Sequence, residues 1–124
     1  MINAINWFEI PVKDFDRAKA FYTTIMDGEI AEVPMEGGMR YGVFPHDKDN
    51  GVGGGIIAGN EQQNPSMDGA TVYLNGGEDL SAPLAKVEAA GGKIILPKTA
   101  IGEDGFMAQF LDTEGNKLAL HSLN

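Results

Sequence analysis

The order of elements legible in the first half of this chain is legible again in the second, and no other feature restricts the fold as strongly. Residues 4–10 have strand composition and Pro11 ends the run. The stretch VKDFDRAKAFYTTIM sets Phe15, Ala18, Phe21, Tyr22 and Ile25 at helical spacing, with Asp14 placed to cap the helix and Asp27-Gly28 to stop it. Strand-like runs follow at 29–34, 39–44 and 52–58. Residues 60–68, NEQQNPSMD, are turn and linker types throughout and divide the chain nearly in half. Then the order returns: a strand at 70–74, a helix at 79–90 burying Leu80, Leu84 and Val87, a Gly91-Gly92 stop, and strands at 93–96, 105–111 and 116–121. DFDRA and DLSAP open the two helices, and MDGEI and AGGKI leave them. The expected fold is α+β, a single domain over 1–124 built from two tandem βαβββ modules, about 1–59 and 69–124, around a cup-shaped mixed sheet. Neither module is large enough to bury its own sheet face well, so each is expected to pack on the other.

Four stretches carry a resemblance to a known family: IPVKDFDRAKAFY, VYLNGGEDL, VEAAGGKI and DTEGNKLALHS. In this order and at these separations they resemble the vicinal oxygen chelate superfamily, which holds glyoxalase I, bleomycin-resistance proteins and extradiol dioxygenases. The resemblance spans nearly the whole chain and implies a cup-shaped fold, a small-molecule ligand and a homodimer. It says less about chemistry, because that superfamily hosts many activities.

In metal-dependent members, the first and last strands of each module supply four ligands of His, Glu or Gln type. Carried onto this sequence, the resemblance puts those positions at Trp7, at Thr71, at Ala119 and within residues 53–57, GGGII. All four ligands are missing, so the expectation is no cofactor and no conventional metal centre; glyoxalase chemistry, which needs a Lewis acid beside a carboxylate base, is doubtful. Strand alternation nevertheless leaves polar groups one pleat away on the same face: Glu9 two residues after Trp7, Tyr73 two after Thr71, and His121 two after Ala119. Glu9, His121 and Tyr73 are the candidate catalytic or ligand-orienting groups, in a pocket walled by Trp7, Thr71 and Ala119 and floored by Gly53 and Gly55. Two other roles compete: a Glu9–His121 pair that merely ties the modules together, or a displaced divalent-metal site on the same two residues.

Composition narrows the field. The formal charge is −9 and no run of Lys or Arg offsets it, which argues against nucleic acid and anionic membranes as partners. The absence of cysteine removes thiolate sites and thiol nucleophiles. No apolar run approaches a membrane span, and MINAINWFEI lacks the basic start of a signal peptide, so a soluble cytoplasmic protein is expected.

Other features attract weaker readings. Gly53-x-Gly55-x-x-Ala58 matches a dinucleotide fingerprint on paper, but a linker follows where a helix should open. His46-Asp47-Lys48-Asp49-Asn50-Gly51 begins like a calcium loop, yet Ala58 stands where the closing glutamate belongs, leaving a solvated turn. Met35, Met39, Met67 and Met107 read as gap-fillers near strand ends. Residues 97–105 read as a lid or connector, with Lys98 the cation placed to meet an anionic ligand. Three functions remain: a lyase- or isomerase-type enzyme, a module that binds a drug or metabolite, or a structural or regulatory domain.

Overall fold

The computed structural model describes residues 3–124. β1 (Trp7–Pro11), α1 (Phe15–Ile25), β2 (Ala31–Val33), β3 (Arg40–Val43) and β4 (Gly53–Ala58) make the first module. β5 (Val72–Asn75), α2 (Ser81–Leu84), β6 (Lys93–Ala100), β7 (Phe106–Leu111) and β8 (Lys117–Ser122) make the second. Each module carries its own four-stranded mixed sheet, ordered β1-β4-β3-β2 and β5-β8-β7-β6, with β1 parallel to β4 and β5 parallel to β8. The topology repeats strand for strand, as the sequence repeat requires.

Helix α1 forms where its signals lie. Asp14 is extended at its N-cap and its carboxylate accepts the Arg17 N–H at 3.0 Å, satisfying one of the orphan donors of the first turn. Phe15, Ala18, Phe21, Tyr22 and Ile25 are the buried residues of the helix, and Asp27 takes a left-handed φ of 52° just past its end.

Alternation then sorts every strand into two faces. The inner faces supply Ile10, Ile56, Leu74, Ala108, Phe110, Leu118 and Leu120 to one apolar core that also takes α1 and Leu80, Leu84 and Val87. Phe21 of the first module meets Phe110 of the second at 6.0 Å between ring centroids. The two sheets thus share a core across their helix-bearing faces, and their opposite faces, called outer here, point away from it.

Two sequence expectations are corrected. The segment at 79–90 is α-helical only over Ser81–Leu84. Pro83 has no N–H to return to Asp79, whose carbonyl is taken by Ala82 at 3.2 Å, and the chain continues in tight turns such as Lys86 to Pro83 and Val87 to Leu84. Leu80, Leu84 and Val87 are buried all the same. The lid read at 97–105 begins as strand, β6 running through Pro97 to Ala100 with register shifts before Thr99, and a 3-10 turn at Gly102–Asp104 follows. A proline with no donor is tolerated on that edge strand at an irregularity, and Ile101 and Gly105 then close the hairpin.

Candidate functional site

Register decides which side chains share the outer face of the first module. Trp7 lies opposite Gly53 and Glu9 opposite Gly55, while Tyr41 lies opposite Ile57 and Val43 opposite Gly55. The glycines do not leave the floor bare, as the sequence suggested. A Cβ at Gly53 would stand 2.5 Å from the His46 ring, and one at Gly55 would stand 2.5 Å from the Tyr41 ring. Each glycine lets an aromatic ring lie flat on the strand.

The rings are organised. The Trp7 indole N–H donates to the Tyr41 hydroxyl at 2.6 Å, and His46 meets Trp7 edge to face with centroids 5.6 Å apart. The His46 Nδ1 stands 2.9 Å from the Phe44 carbonyl, which can only accept, so Nδ1 carries a proton. Burial raises the Tyr41 phenol above its ordinary pKa, against the opposing Trp7 hydrogen bond and with a smaller push from the Glu9 carboxylate, so the phenol stays protonated. Glu9 accepts from Gln63 at 3.2 Å. It also lines a cleft of about 170 Å³ with Asn64, Ser66, Asp68 and Lys117. Trp7 remains 41% exposed despite its hydrogen bond and its ring contact.

The outer face of the second module holds the other candidates. Tyr73 pairs with Ala119, and Asn75 with His121, which in turn faces Met107 on β7. Tyr73, Asn75, Ile101, Asp104 and His121 line an open depression of about 630 Å³. The His121 Nε2 stands 2.7 Å from the Asp104 carbonyl, so Nε2 carries a proton and Nδ1 is the nitrogen left for other partners. Thr71 sits just before β5, half-buried, and Ala119 is fully buried.

The structure therefore brings Tyr73 and His121 together, and Trp7, Glu9, Gly53 and Gly55 together, but on different sheets. The Glu9–His121 tie between modules is not made, since Glu9 is held by Gln63 and His121 by Asp104. Lys98 does not stand free for an anion: it pairs with Asp79 at 3.0 Å and covers the Phe106 ring. Tyr41 and His46 are the residues that sequence reasoning missed. Their signal was the glycine run itself, because a strand glycine marks the close approach of something, here two rings.

What ties the modules is the turn DTEGN. Tyr22 donates to Asp112 at 2.6 Å, Asn116 donates to the Pro11 carbonyl at 2.7 Å, and Glu114 accepts the N–H groups of Lys13 and Asp14 at 2.9 and 2.7 Å and Arg17 Nε at 2.7 Å. Burial pushes the Glu114 carboxyl up, but the hydrogen bonds from Arg17, Asp14, Thr113 and Lys13 outweigh it and hold it down to about 2.

A four-ligand metal centre does not fit these residues. The carried-over positions hold an indole, a lone hydroxyl, a methyl group and a glycine-rich strand, and no group of three or more His, Cys, Asp or Glu among the described residues can hold a metal ion. No helix among the described residues is long and apolar enough to cross a membrane.

Comparison with known proteins agrees with this architecture. The family model described as Glyoxalase/Bleomycin resistance protein/Dioxygenase superfamily matches residues 4–120. CFP32 of Mycobacterium tuberculosis, provisionally named a glyoxylase, is 28% identical over 123 residues, covering 96% of this chain and 45% of its own length. The chain thus spans about half the length of that curated relative. Among solved structures, a glyoxalase/bleomycin resistance protein from Albidiferax ferrireducens T118 superposes with a TM-score of 0.73 at 18% identity, covering 95% of this chain and 97% of that one. TnmS3, an antibiotic binding protein from Streptomyces sp. CB03234, gives 0.71 at 22%, covering 99% and 98%. Glyoxalase I from Zea mays gives 0.72 at 17%, covering 94% of this chain and 45% of that one. At these identities the structural likenesses establish the fold alone.

Proposed function

The chain belongs to the glyoxalase/bleomycin resistance protein/dioxygenase superfamily, and from that premise we propose that it is a small-molecule-binding member that works without the four-ligand metal centre or any other cofactor. The observation that carries the reading is the outer face of the first module. At a position where metal-dependent relatives place a ligand stands a half-exposed indole, fixed by Tyr41 and His46 and set beside the Glu9 carboxylate. An ordered aromatic wall with one charged group is suited to gripping a planar organic ligand.

In this reading the ligand lies against Trp7 and Glu9, and Tyr73 and His121 of a second copy complete the cup in a cytoplasmic homodimer. Exposed Trp7, Tyr73 and Ile101 on the outer faces support that assembly. The antibiotic-binding function printed for TnmS3 is the analogy behind ligand sequestration rather than turnover.

A second reading, lyase- or isomerase-type proton transfer, has one observation in its favour. The Asp104 carbonyl engages the His121 Nε2–H, leaving Nδ1 as the nitrogen for proton exchange in the depression that Tyr73 and Asn75 line.

The test is a thermal-shift screen of chelator-treated protein against planar aromatic compounds. A ligand at a hundred times its Kd stabilises by about 2.7 kcal/mol. The binding reading expects shifts that disappear in Trp7→Ala, and the catalytic reading expects turnover that disappears in His121→Ala. Shifts that appear only with a divalent ion would overturn the metal-free reading.

A further inference from the structure

We propose that the outer face of the first module selects a ligand whose planar ring carries a positive charge. The inference rests on the binding reading above and names the class of ligand that the same face would take.

The donor and acceptor inventory is one-sided. The Trp7 N–H is spent on Tyr41 and the His46 Nδ1–H on the Phe44 carbonyl, so neither faces a ligand as a donor. What this face presents instead is electron density: the indole face and the Glu9 carboxylate. A carboxylate has about four lone-pair sites. On Glu9, the Gln63 amide takes one of them. No Lys or Arg forms a salt bridge with Glu9 among the described residues. Lys117 is the single cation lining the Glu9 cleft, and Asp68 lines it too. A chain of net charge −9 adds a field of the same sign.

An anionic ligand would find the indole N–H and the His46 Nδ1–H already engaged and would face the Glu9 charge. A neutral ring would gain stacking alone. A cationic ring gains stacking, the attraction of the indole quadrupole and the carboxylate together, and tryptophan is the strongest aromatic partner for a cation. The glycines serve the same end. A side chain at 53 would displace the His46 ring and with it the edge contact of Trp7, and one at 55 would displace the Tyr41 ring and with it the acceptor of the Trp7 N–H.

The test is isothermal titration at neutral pH with three compounds on one skeleton: 4-aminoquinoline, which is protonated there, neutral 4-methylquinoline, and quinoline-4-carboxylate. The expected order is cation over neutral ring by about tenfold, with the carboxylate weakest. Glu9→Gln, near in shape and on an exposed residue, should erase the cation preference while the neutral ring still binds, and Trp7→Leu should weaken both. On the wild type alone, added salt should shrink the preference. Equal affinities, a carboxylate that binds best, or a preference untouched by Glu9→Gln and salt would overturn the proposal. If the neutral ring binds through Trp7 with no cation preference, the binding reading stands and this one falls. If none of the three binds, this proposal falls, and the broader screen decides the binding reading separately.

Discussion

Glu114, from the turn that joins the last two strands, holds the entrance of the first helix: its Oε1 accepts the Asp14 N–H at 2.7 Å, a hundred positions away in sequence. The same carboxylate binds Arg17 through its other oxygen, and its side chain is fully buried. Glu114→Ala would leave two backbone N–H groups unpaired in the contact between modules. A loss of about 2–4 kcal/mol is expected by urea denaturation. A loss of a few tenths would mean that water replaces the carboxylate.

That contact also sets an acid limit. The Glu114 pKa is held at about 2, below the ordinary carboxylate range. A depressed folded-state value means that the unfolded chain binds the extra proton first. The contribution is fully present above the unfolded value of about 4.5 and is lost as pH falls from there toward 2. Stability measured down this range should fall less steeply in Glu114→Gln than in the wild type. Parallel curves would place the acid sensitivity in other carboxylates, of which Asp79, also held at about 2, is the first to examine.

Phe21 crosses from one module to the other. Fully buried and packed on Phe110 and Tyr22, it should cost about 3–5 kcal/mol when cut to alanine. Because one core serves both sheets, the variant is expected to unfold in a single transition at a lower midpoint. Two separated transitions would contradict the shared core.

Gly55→Val tests the aromatic wall. Its Cβ would enter the Tyr41 ring, displacing the acceptor of the Trp7 N–H, at a cost of about 1–3 kcal/mol. Trp7 is the sole tryptophan, so its emission should shift in the folded variant. An unchanged spectrum would mean that Tyr41 does not order the indole.

The sequence made some of this visible because its signals were local. The Asp14 cap and five apolar positions marked α1, and all five are buried. Strand parity put Glu9, Tyr73 and His121 on outer faces, where the register has them. The failures came where a local rule gave way. After Leu84 the segment 79–90 tightens from i→i−4 bonds into i→i−3 turns although its apolar spacing is sound, and Pro97 read as a strand end although an edge strand can continue past it. Glu9 and His121 share strand parity, but parity cannot say that they stand on two sheets with separate clefts. His46 was hidden for a related reason: a loop of Asp, Lys and Asn reads as solvated, and only the ladder shows that its first residue folds back over Gly53.

The most direct measurement follows Trp7 emission during titration with the best ligand from the screen, once in chelator and once with added divalent ion. The account predicts a saturable change at Trp7 with the same Kd in both. A ligand that stabilises the protein without moving the Trp7 signal, or that binds only when the ion is present, would contradict a metal-free site on this face.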